Sequence, residues 1–208
     1  MASGHEIYIW NYFLGKIGNE YGVAGLMGNL QAESGLYPDR VQGDVPYSSY
    51  SQDYTARVSS GEISEYQFVH NGPNGGGYGL AQWTWHTRKQ GLYDRFVAGG
   101  YSSIGDIRLA CDYLWYELST KYKGVLTILK SASSVRQASD KVLHDFESPA
   151  DQSVSVEEVR ASLGQAHYNA FANGQIGGTV PPVSGGGVIT TRRKSLSLMM
   201  LYLASKRK

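Results

Sequence analysis

The chain has 208 residues and a mass of 22.8 kDa, enough for one domain with a substantial hydrophobic core. Hydrophobic residues make up 41% and charged residues 18%, which excludes a disordered polyampholyte and a membrane bundle. Six of the 19 basic residues lie in the last 17 positions, which leaves 13 basic against 18 acidic residues in the rest. Because this larger part is acidic, we do not expect it to bind nucleic acid.

Two helices are predicted in the first 35 residues. In the first, Ile7, Trp10, Leu14 and Ile17 recur at helical spacing until Gly18-Asn19 interrupts the pattern. The second begins at Tyr21 and ends near Ser34-Gly35. Its large apolar residues share one face and its small residues the other: Val23, Leu26, Met27 and Leu30 against Gly25, Gly28 and Ala32. A helix of this kind can be packed from both sides, so we expect it at the centre of the fold.

The middle of the chain shows less periodicity in its apolar residues. Residues 39–77 contain no long periodic run, and a glycine-rich loop occupies 71–77. The aromatic and threonine residues of 78–84 predict a short strand that leaves this loop. The expected fold class is therefore α+β, mainly α, with a small β region.

Three more helices are predicted in the second half. One carries apolar residues from Ile107 to Leu118, with Ser103 and Asp106 as an N-terminal cap pair. Another runs over 135–146 and ends at Pro149. The last opens with a capping box at 155–158 and continues to about Phe171.

The composition changes after residue 172. Residues 173–190 are rich in glycine and contain Pro181-Pro182, which is typical of a linker. Residues 191–208 place an apolar stretch of nine residues between two basic clusters, too short to cross a bilayer. We therefore expect a main domain over 1–172, a linker over 173–190 and a tail over 191–208. The tail would dock on a partner subunit, lie on an anionic membrane surface or remain disordered.

The composition also limits the chemistry. One cysteine, Cys111, excludes an internal disulfide, and its place in an apolar stripe predicts a core residue. The five histidines do not have metal-ligand spacing, and no zinc-peptidase, P-loop or serine-hydrolase motif occurs. We expect no metal and no cofactor. The first ten residues lack the pattern of a signal peptide, so none is expected.

Glu33 is the main candidate for catalysis. It lies at the edge of the apolar stripe of the second helix and in its last turn, where the helix dipole disfavours a carboxylate. Partial burial acts in the same direction, so we expect its pKa to be raised. A carboxylic acid of this kind can protonate a glycosidic oxygen, whereas an ordinary solvated glutamate remains the alternative.

Three segments in order resemble the phage tail lysozyme family of the lysozyme-like superfamily. The first is 23–36, which contains Glu33-Ser34-Gly35. The second is 77–84, followed by Arg88-Lys89 and Leu92-Tyr93, and the third is 146–151, which begins Phe146-Glu147-Ser148-Pro149. The resemblance covers roughly residues 5–172.

The resemblance implies a mainly helical lysozyme-like domain with a glycan cleft and with Glu33 as its acid. The segment that contains Tyr78, Gly79, Gln82 and Trp83 would form the opposite wall and bind substrate. There Gln82 would hydrogen-bond the sugar, and Tyr78 or Trp83 would stack on a pyranose ring unless they pack in the core. For Glu147 we favour a structural role.

A second carboxylate is less well defined. Inverting and retaining glycosidases need one at different distances from the acid. Asp44 is the best candidate because it follows the catalytic helix on a loop. The competitors are Asp39, Asp53, Glu62 and Glu65. A lytic transglycosylase would need no second carboxylate, because one group acts as acid and then as base.

The predicted function is hydrolysis of the β-1,4 bond between N-acetylmuramic acid and N-acetylglucosamine in bacterial peptidoglycan. The family implies a virion protein that opens the cell wall locally, bound to other tail proteins through 191–208. The alternatives are a lytic transglycosylase, an endolysin of the same fold, and a structural tail-tip or wall-binding module without turnover.

Overall fold

The computed structural model of the chain describes residues 2–72 and 76–172. The linker predicted over 173–190 and the tail over 191–208 lie outside the described residues. Eight α-helices occupy the described ranges: α1 Gly4–Ile17, α2 Glu20–Ser34, α3 Ser49–Ser59, α4 His86–Ala98, α5 Ile107–Thr120, α6 Lys123–Ser131, α7 Val135–Val142 and α8 Val154–Phe171. Two short π-helical turns accompany them, at Gln67–Asn71 and Leu143–Glu147.

The central position expected for α2 is confirmed. Most of its residues are buried, and it packs against α1, α6, α7 and α8. A Cβ atom added at Gly25 would lie 2.6 Å from Cβ of Ala138 in α7. One added at Gly28 would lie 2.4 Å from the carbonyl oxygen of Arg160 in α8. The small face of α2 therefore lets two helices approach its backbone closely.

Of the two predicted helix N-termini, that of α5 is confirmed and that of α8 is not. Asp106 caps α5 as expected, since its Oδ1 accepts a hydrogen bond of 2.8 Å from the backbone N–H of Arg108. The capping box at 155–158 is wrong. The N-cap of α8 is Ser153, and Ser155 lies inside the helix with its hydroxyl 2.9 Å from that of Ser153.

Three helices, α3, α4 and α6, were not predicted from the sequence. The reason is that each buries few large side chains, so the apolar stripe that marks a helix is short. In α4 the buried residues are only Lys89 and Leu92, and in α6 they are Val125 and Leu129.

The strand predicted over 78–84 is replaced by a tight turn. Tyr78 and Trp83 form an isolated antiparallel bridge, with backbone hydrogen bonds of 3.1 and 2.9 Å, and Tyr78 forms a second bridge with Val41. Gly79 and Gln82 have positive φ angles of 79° and 45°, which reverse the chain between the two aromatic residues. In 2–72 and 76–172, the β structure consists of these two bridges, so the described fold is mainly α.

Over the same two ranges, no helix combines the length and the apolar character needed to cross a membrane.

Candidate active site

Glu33 lies in the last turn of α2 and pairs with Arg160 from α8. The Arg160 guanidinium donates from Nη2 to Oε1 of Glu33, a pairing between residues 127 positions apart in the chain. The Arg160 side chain is only 2% exposed, whereas that of Glu33 is 22% exposed. The acid candidate therefore reaches the surface while its cationic partner stays in the core.

Asn29 holds this guanidinium from the other side. Its Oδ1 accepts a hydrogen bond of 3.2 Å from Nη1 of Arg160. Its Nδ2 donates to the carbonyl oxygens of Gly25 and Ser139, at 2.9 and 3.1 Å. These bonds join α2, α7 and α8 around one buried side chain, which fixes the position of Glu33.

The two aromatic residues proposed to stack on sugar are both in the core. Tyr78 and Trp83 are 0% exposed, so neither ring presents a face on which a sugar can lie. The Tyr78 hydroxyl lies 2.7 Å from that of Thr55, and burial raises the pKa of Tyr78 well above its usual value. The expectation that either ring stacks on a pyranose is wrong in this arrangement, and both instead hold the turn in place.

Gly79 and Gln82 shape the turn itself. A side chain at position 79 would meet the Trp83 ring at 3.0 Å and the Pro38 carbonyl oxygen at 3.1 Å, which leaves room for glycine only. The Gln82 amide donates from Nε2 to the carbonyl oxygens of Arg40 and Gly79, both at 3.0 Å. The partly exposed Gln82 side chain is thereby fixed by its nitrogen atom.

A fully buried glutamate of α5 ties this turn to α4. Glu117 accepts from Nε1 of Trp83 at 2.8 Å and from Nε and Nη2 of Arg88, also at 2.8 Å. Sequence analysis did not single out Glu117. Its position in the apolar stripe of α5 was the available signal, because a charged residue on such a face needs a buried partner.

Glu147 ends the π-helical turn that follows α7. Its Oε1 is buried and has no hydrogen-bond partner among the described residues, although part of the side chain is exposed. Burial and then the nearby charge of Glu33 raise the pKa of Glu147 to about 8, and Arg88 and Arg160 oppose that rise. An unsatisfied buried carboxyl group is unusual for a purely structural residue.

Asp44 lies on the loop before α3 and binds the start of that helix. Its carboxylate accepts from the hydroxyl groups of Ser48 and Ser51, both at 2.6 Å, and from their backbone N–H groups at 3.1 and 3.3 Å. Partial burial alone would raise the pKa of Asp44, but these hydrogen bonds outweigh it and leave that pKa below its usual value. Asp44 is therefore held as a carboxylate.

Three of the four competing carboxylates have other partners. Asp39 accepts a hydrogen bond of 2.7 Å from the Tyr47 hydroxyl, and burial raises the pKa of Asp39. Glu62 pairs with Arg57 at the surface, and Glu65 accepts from Gln90.

One exposed aromatic residue follows the turn directly. Trp85 is 72% exposed at the start of α4. The ring of the next residue, His86, lies 5.7 Å from that of His70, which in turn lies 4.5 Å from that of Tyr66. Sequence analysis did not single out Trp85. In an extended stretch residues two apart share a face, so its spacing from the buried Trp83 gave no signal that it would be exposed.

No group of three or more histidine, cysteine, aspartate or glutamate side chains is arranged for a metal ion in the part of the chain that the structure describes.

Comparison with known proteins shows the family to which the chain belongs. The family model described as phage tail lysozyme matches residues 5–171, and the chain belongs to this family. Neither the search of curated proteins nor the search of solved structures gave a match. Membership indicates a lysozyme-like function that acts on peptidoglycan and an association with the phage tail.

Proposed function

We propose that the protein is a muramidase that hydrolyses the β-1,4 bond between N-acetylmuramic acid and N-acetylglucosamine, with Glu33 as general acid. The observation that supports this assignment is the position of Glu33, which is partly exposed at the end of α2 while the buried Arg160 holds one of its oxygens in place. Arg160 binds Oε1, so the other carboxyl oxygen, Oε2, is the atom that carries the proton to the glycosidic oxygen.

The turn at 78–83 supports the opposite wall of the proposed cleft. Because the amide of Gln82 donates through Nε2, its Oε1 is the atom that accepts from a sugar hydroxyl group. Gly79 lets the chain pass close to Trp83, which keeps the wall compact. The stacking surface is assigned to Trp85, which is exposed where Tyr78 and Trp83 are not.

Asp44 is proposed as the second carboxylate. Its hydrogen bonds from Ser48 and Ser51 keep it ionised, which is the form that stabilises an oxocarbenium-like transition state or activates a water molecule.

Mass spectrometry of fragments from purified peptidoglycan tests the function. The wild-type protein is expected to release fragments with reducing muramic acid ends, and Glu33→Gln to release them about 10²–10⁴ times more slowly. Glu158→Gln is the matched control, because Glu158 is an exposed glutamate of α8. In the same assay, Trp85→Ala is expected to raise KM.

Three outcomes would contradict this assignment in different ways. Fragments with 1,6-anhydro ends would indicate a lytic transglycosylase. Equal release by Glu33→Gln and wild type would remove Glu33 from the mechanism. No fragments from several wall types would favour a structural module that binds the wall without cleaving it.

We also propose that residues 191–208 attach the protein to other tail proteins, with contact to an anionic membrane surface as the alternative. Deletion of 188–208 should abolish binding to the phage particle and leave peptidoglycan cleavage unchanged. Unchanged binding to both particles and anionic vesicles would contradict both roles.

A further inference from the structure

Lys89 is a buried lysine without a counter-ion. It lies in the first turn of α4 and is only 2% exposed, although lysine side chains are almost never fully buried unless they are paired. The preceding residue, Arg88, has such a partner in Glu117. No hydrogen bond or ion pair joins the ammonium group of Lys89 to any residue of 2–72 and 76–172. Its charge is therefore uncompensated in the described part of the chain.

The ammonium group lies beside the glycine that follows the π-helical turn at Gln67–Asn71. A Cβ atom added at Gly72 would lie 2.4 Å from Nζ of Lys89. The carbonyl oxygens of Gly76 and Phe68 lie 3.5 and 3.6 Å from the same position, and neither accepts a hydrogen bond from Nζ. Gly72 is partly exposed, so the cation lies just below the surface. Glycine at this position leaves the space that the ammonium group occupies.

The start of α4 also favours a negative charge. Its N-cap residue, Trp85, gives no side-chain hydrogen bond to the first backbone N–H groups of the helix. These groups carry the partial positive charge of the helix dipole, and helical side chains such as that of Lys89 point toward the same end. Burial lowers the pKa of Lys89, and no carboxylate of the described residues opposes that effect. An anion bound here would compensate both positive charges.

Trp85 connects this position with the proposed substrate. Its carbonyl oxygen accepts a hydrogen bond of 3.0 Å from the backbone N–H of Lys89, so the lysine follows the exposed ring by one helical turn. In the proposed function this ring stacks on a sugar of the glycan strand. The sugar rings are uncharged, and the carboxyl groups of the polymer belong to the lactyl substituent of N-acetylmuramic acid or to the peptide attached to it. A muramic acid residue near Trp85 therefore brings a carboxyl group to the start of α4.

We propose that Lys89 binds a carboxylate carried by N-acetylmuramic acid, either that of the lactyl group or one of the attached peptide. The proposal rests on the proposed function and adds a specificity residue to it. The ammonium group donates a charge-assisted hydrogen bond to the carboxylate, and the ion pair compensates a cation that the described residues leave unpaired. A strand of N-acetylglucosamine alone lacks this carboxylate.

Steady-state kinetics on three soluble glycan strands test the proposal. Strands with attached peptides carry peptide carboxylates, strands stripped by an amidase carry the lactyl carboxylate, and peptide-bearing strands with amidated carboxyl groups carry neither. Lys89→Met removes the charge and keeps an unbranched side chain. It is expected to raise KM about tenfold on a carboxylate-bearing strand, with little change in kcat, and to match the wild type on the amidated strand. The strand that shows the rise identifies the carboxylate.

The matched control is Lys123→Met, because Lys123 is exposed at the start of α6. It should leave KM unchanged on all three strands. An equal rise for Lys89→Met on amidated and carboxylate-bearing strands, or no rise on any of them, would overturn the proposal. The wild type gives a test that needs no variant, since its own KM should be about tenfold higher on amidated strands than on the carboxylate-bearing strand that it prefers.

Calorimetry with the Glu33→Gln protein separates this proposal from the proposed function. This variant should bind a carboxylate-bearing strand about tenfold more tightly than the amidated strand. If it does so while the wild type cleaves none of the strands, the proposed function fails and the carboxylate site stands. If the wild type cleaves the strands and the affinities are equal, the carboxylate site fails and the proposed function stands.

Discussion

Glu117 and Glu147 both place carboxyl oxygen in the protein interior, but their hydrogen bonding differs. Glu117 is enclosed completely and accepts three hydrogen bonds of 2.8 Å from Trp83 and Arg88. Oε1 of Glu147 is buried with no partner among the described residues. A fold gains stability by satisfying a buried carboxyl group, so the unsatisfied one is the better candidate for a functional role. Glu117 thus supports the turn, whereas Glu147 is a candidate for a functional role.

The largest expected effect comes from Glu117→Gln. This change leaves the largely buried Arg88 without its negative partner, which should lower the free energy of unfolding by about 3–5 kcal/mol. Urea denaturation followed by tryptophan fluorescence measures the loss, and the burial of Trp83 makes that signal sensitive to the turn.

Glu62→Gln is the matched control for that variant. Glu62 pairs with Arg57 at a distance of 2.7 Å, but both side chains are well exposed. We expect no measurable change in stability, because solvent screens such a pair. A loss in Glu117→Gln no larger than that in Glu62→Gln would show that the buried pair does not hold the turn.

Glu147→Gln should change how stability depends on pH. The pKa of Glu147 is about 8 in the folded protein and ordinary in the unfolded chain, so between pH 5 and 8 the folded state holds the extra proton. Wild-type stability should therefore fall as the pH rises through this window, by on the order of 1 kcal/mol per pH unit from this group.

The glutamine variant has no proton to lose at position 147, so its unfolding free energy should fall less steeply with pH. Denaturation at pH 5, 6, 7 and 8 compares the two slopes. Equal slopes would mean that the Glu147 carboxyl group titrates alike in the folded and unfolded chains, and its contrast with Glu117 would then be lost.

Apart from the control Glu62→Gln, Asp44→Asn should have the smallest effect on stability. The variant loses charge at the start of α3 but keeps one acceptor, so we expect a loss of about 0.5–1 kcal/mol at neutral pH. Because hydrogen bonding lowers the pKa of Asp44, this advantage of the wild type should disappear as the pH falls below the usual aspartate range.

Measuring peptidoglycan cleavage by Asp44→Asn tests whether Asp44 is the second carboxylate. If Asp44 is the second carboxylate, kcat should fall at least about tenfold while the protein remains folded. An unchanged kcat would restrict Asp44 to its contacts with Ser48 and Ser51.

The sequence predicted the features that a local pattern encodes. The central packing of α2 followed from small residues opposite large ones, and the motif around Glu33 made it the acid candidate, which stays a prediction. The helices α3, α4 and α6 carry too short an apolar stripe to be recognised. The turn at Tyr78–Trp83 resembles a strand in composition, but Gly79 and Gln82 adopt φ angles that composition does not reveal.

The partners of the site residues could not be predicted from local sequence patterns. Arg160 reaches Glu33 across 127 positions, and Glu117 reaches Trp83 across 34. Such pairings depend on which helices meet, which a single sequence does not state. The same limit explains why the stacking role given to Trp83 was wrong and the exposed Trp85 was missed.

The two contacts of Arg160 with α2 determine when the surroundings of Glu33 can form during synthesis of the chain. Its backbone carbonyl fits against Gly28, and its guanidinium binds Glu33. A ribosome makes the glutamate early but must add 127 more residues before its arginine exists. The ion pair that positions Glu33 can therefore form only after synthesis has passed residue 160 in α8.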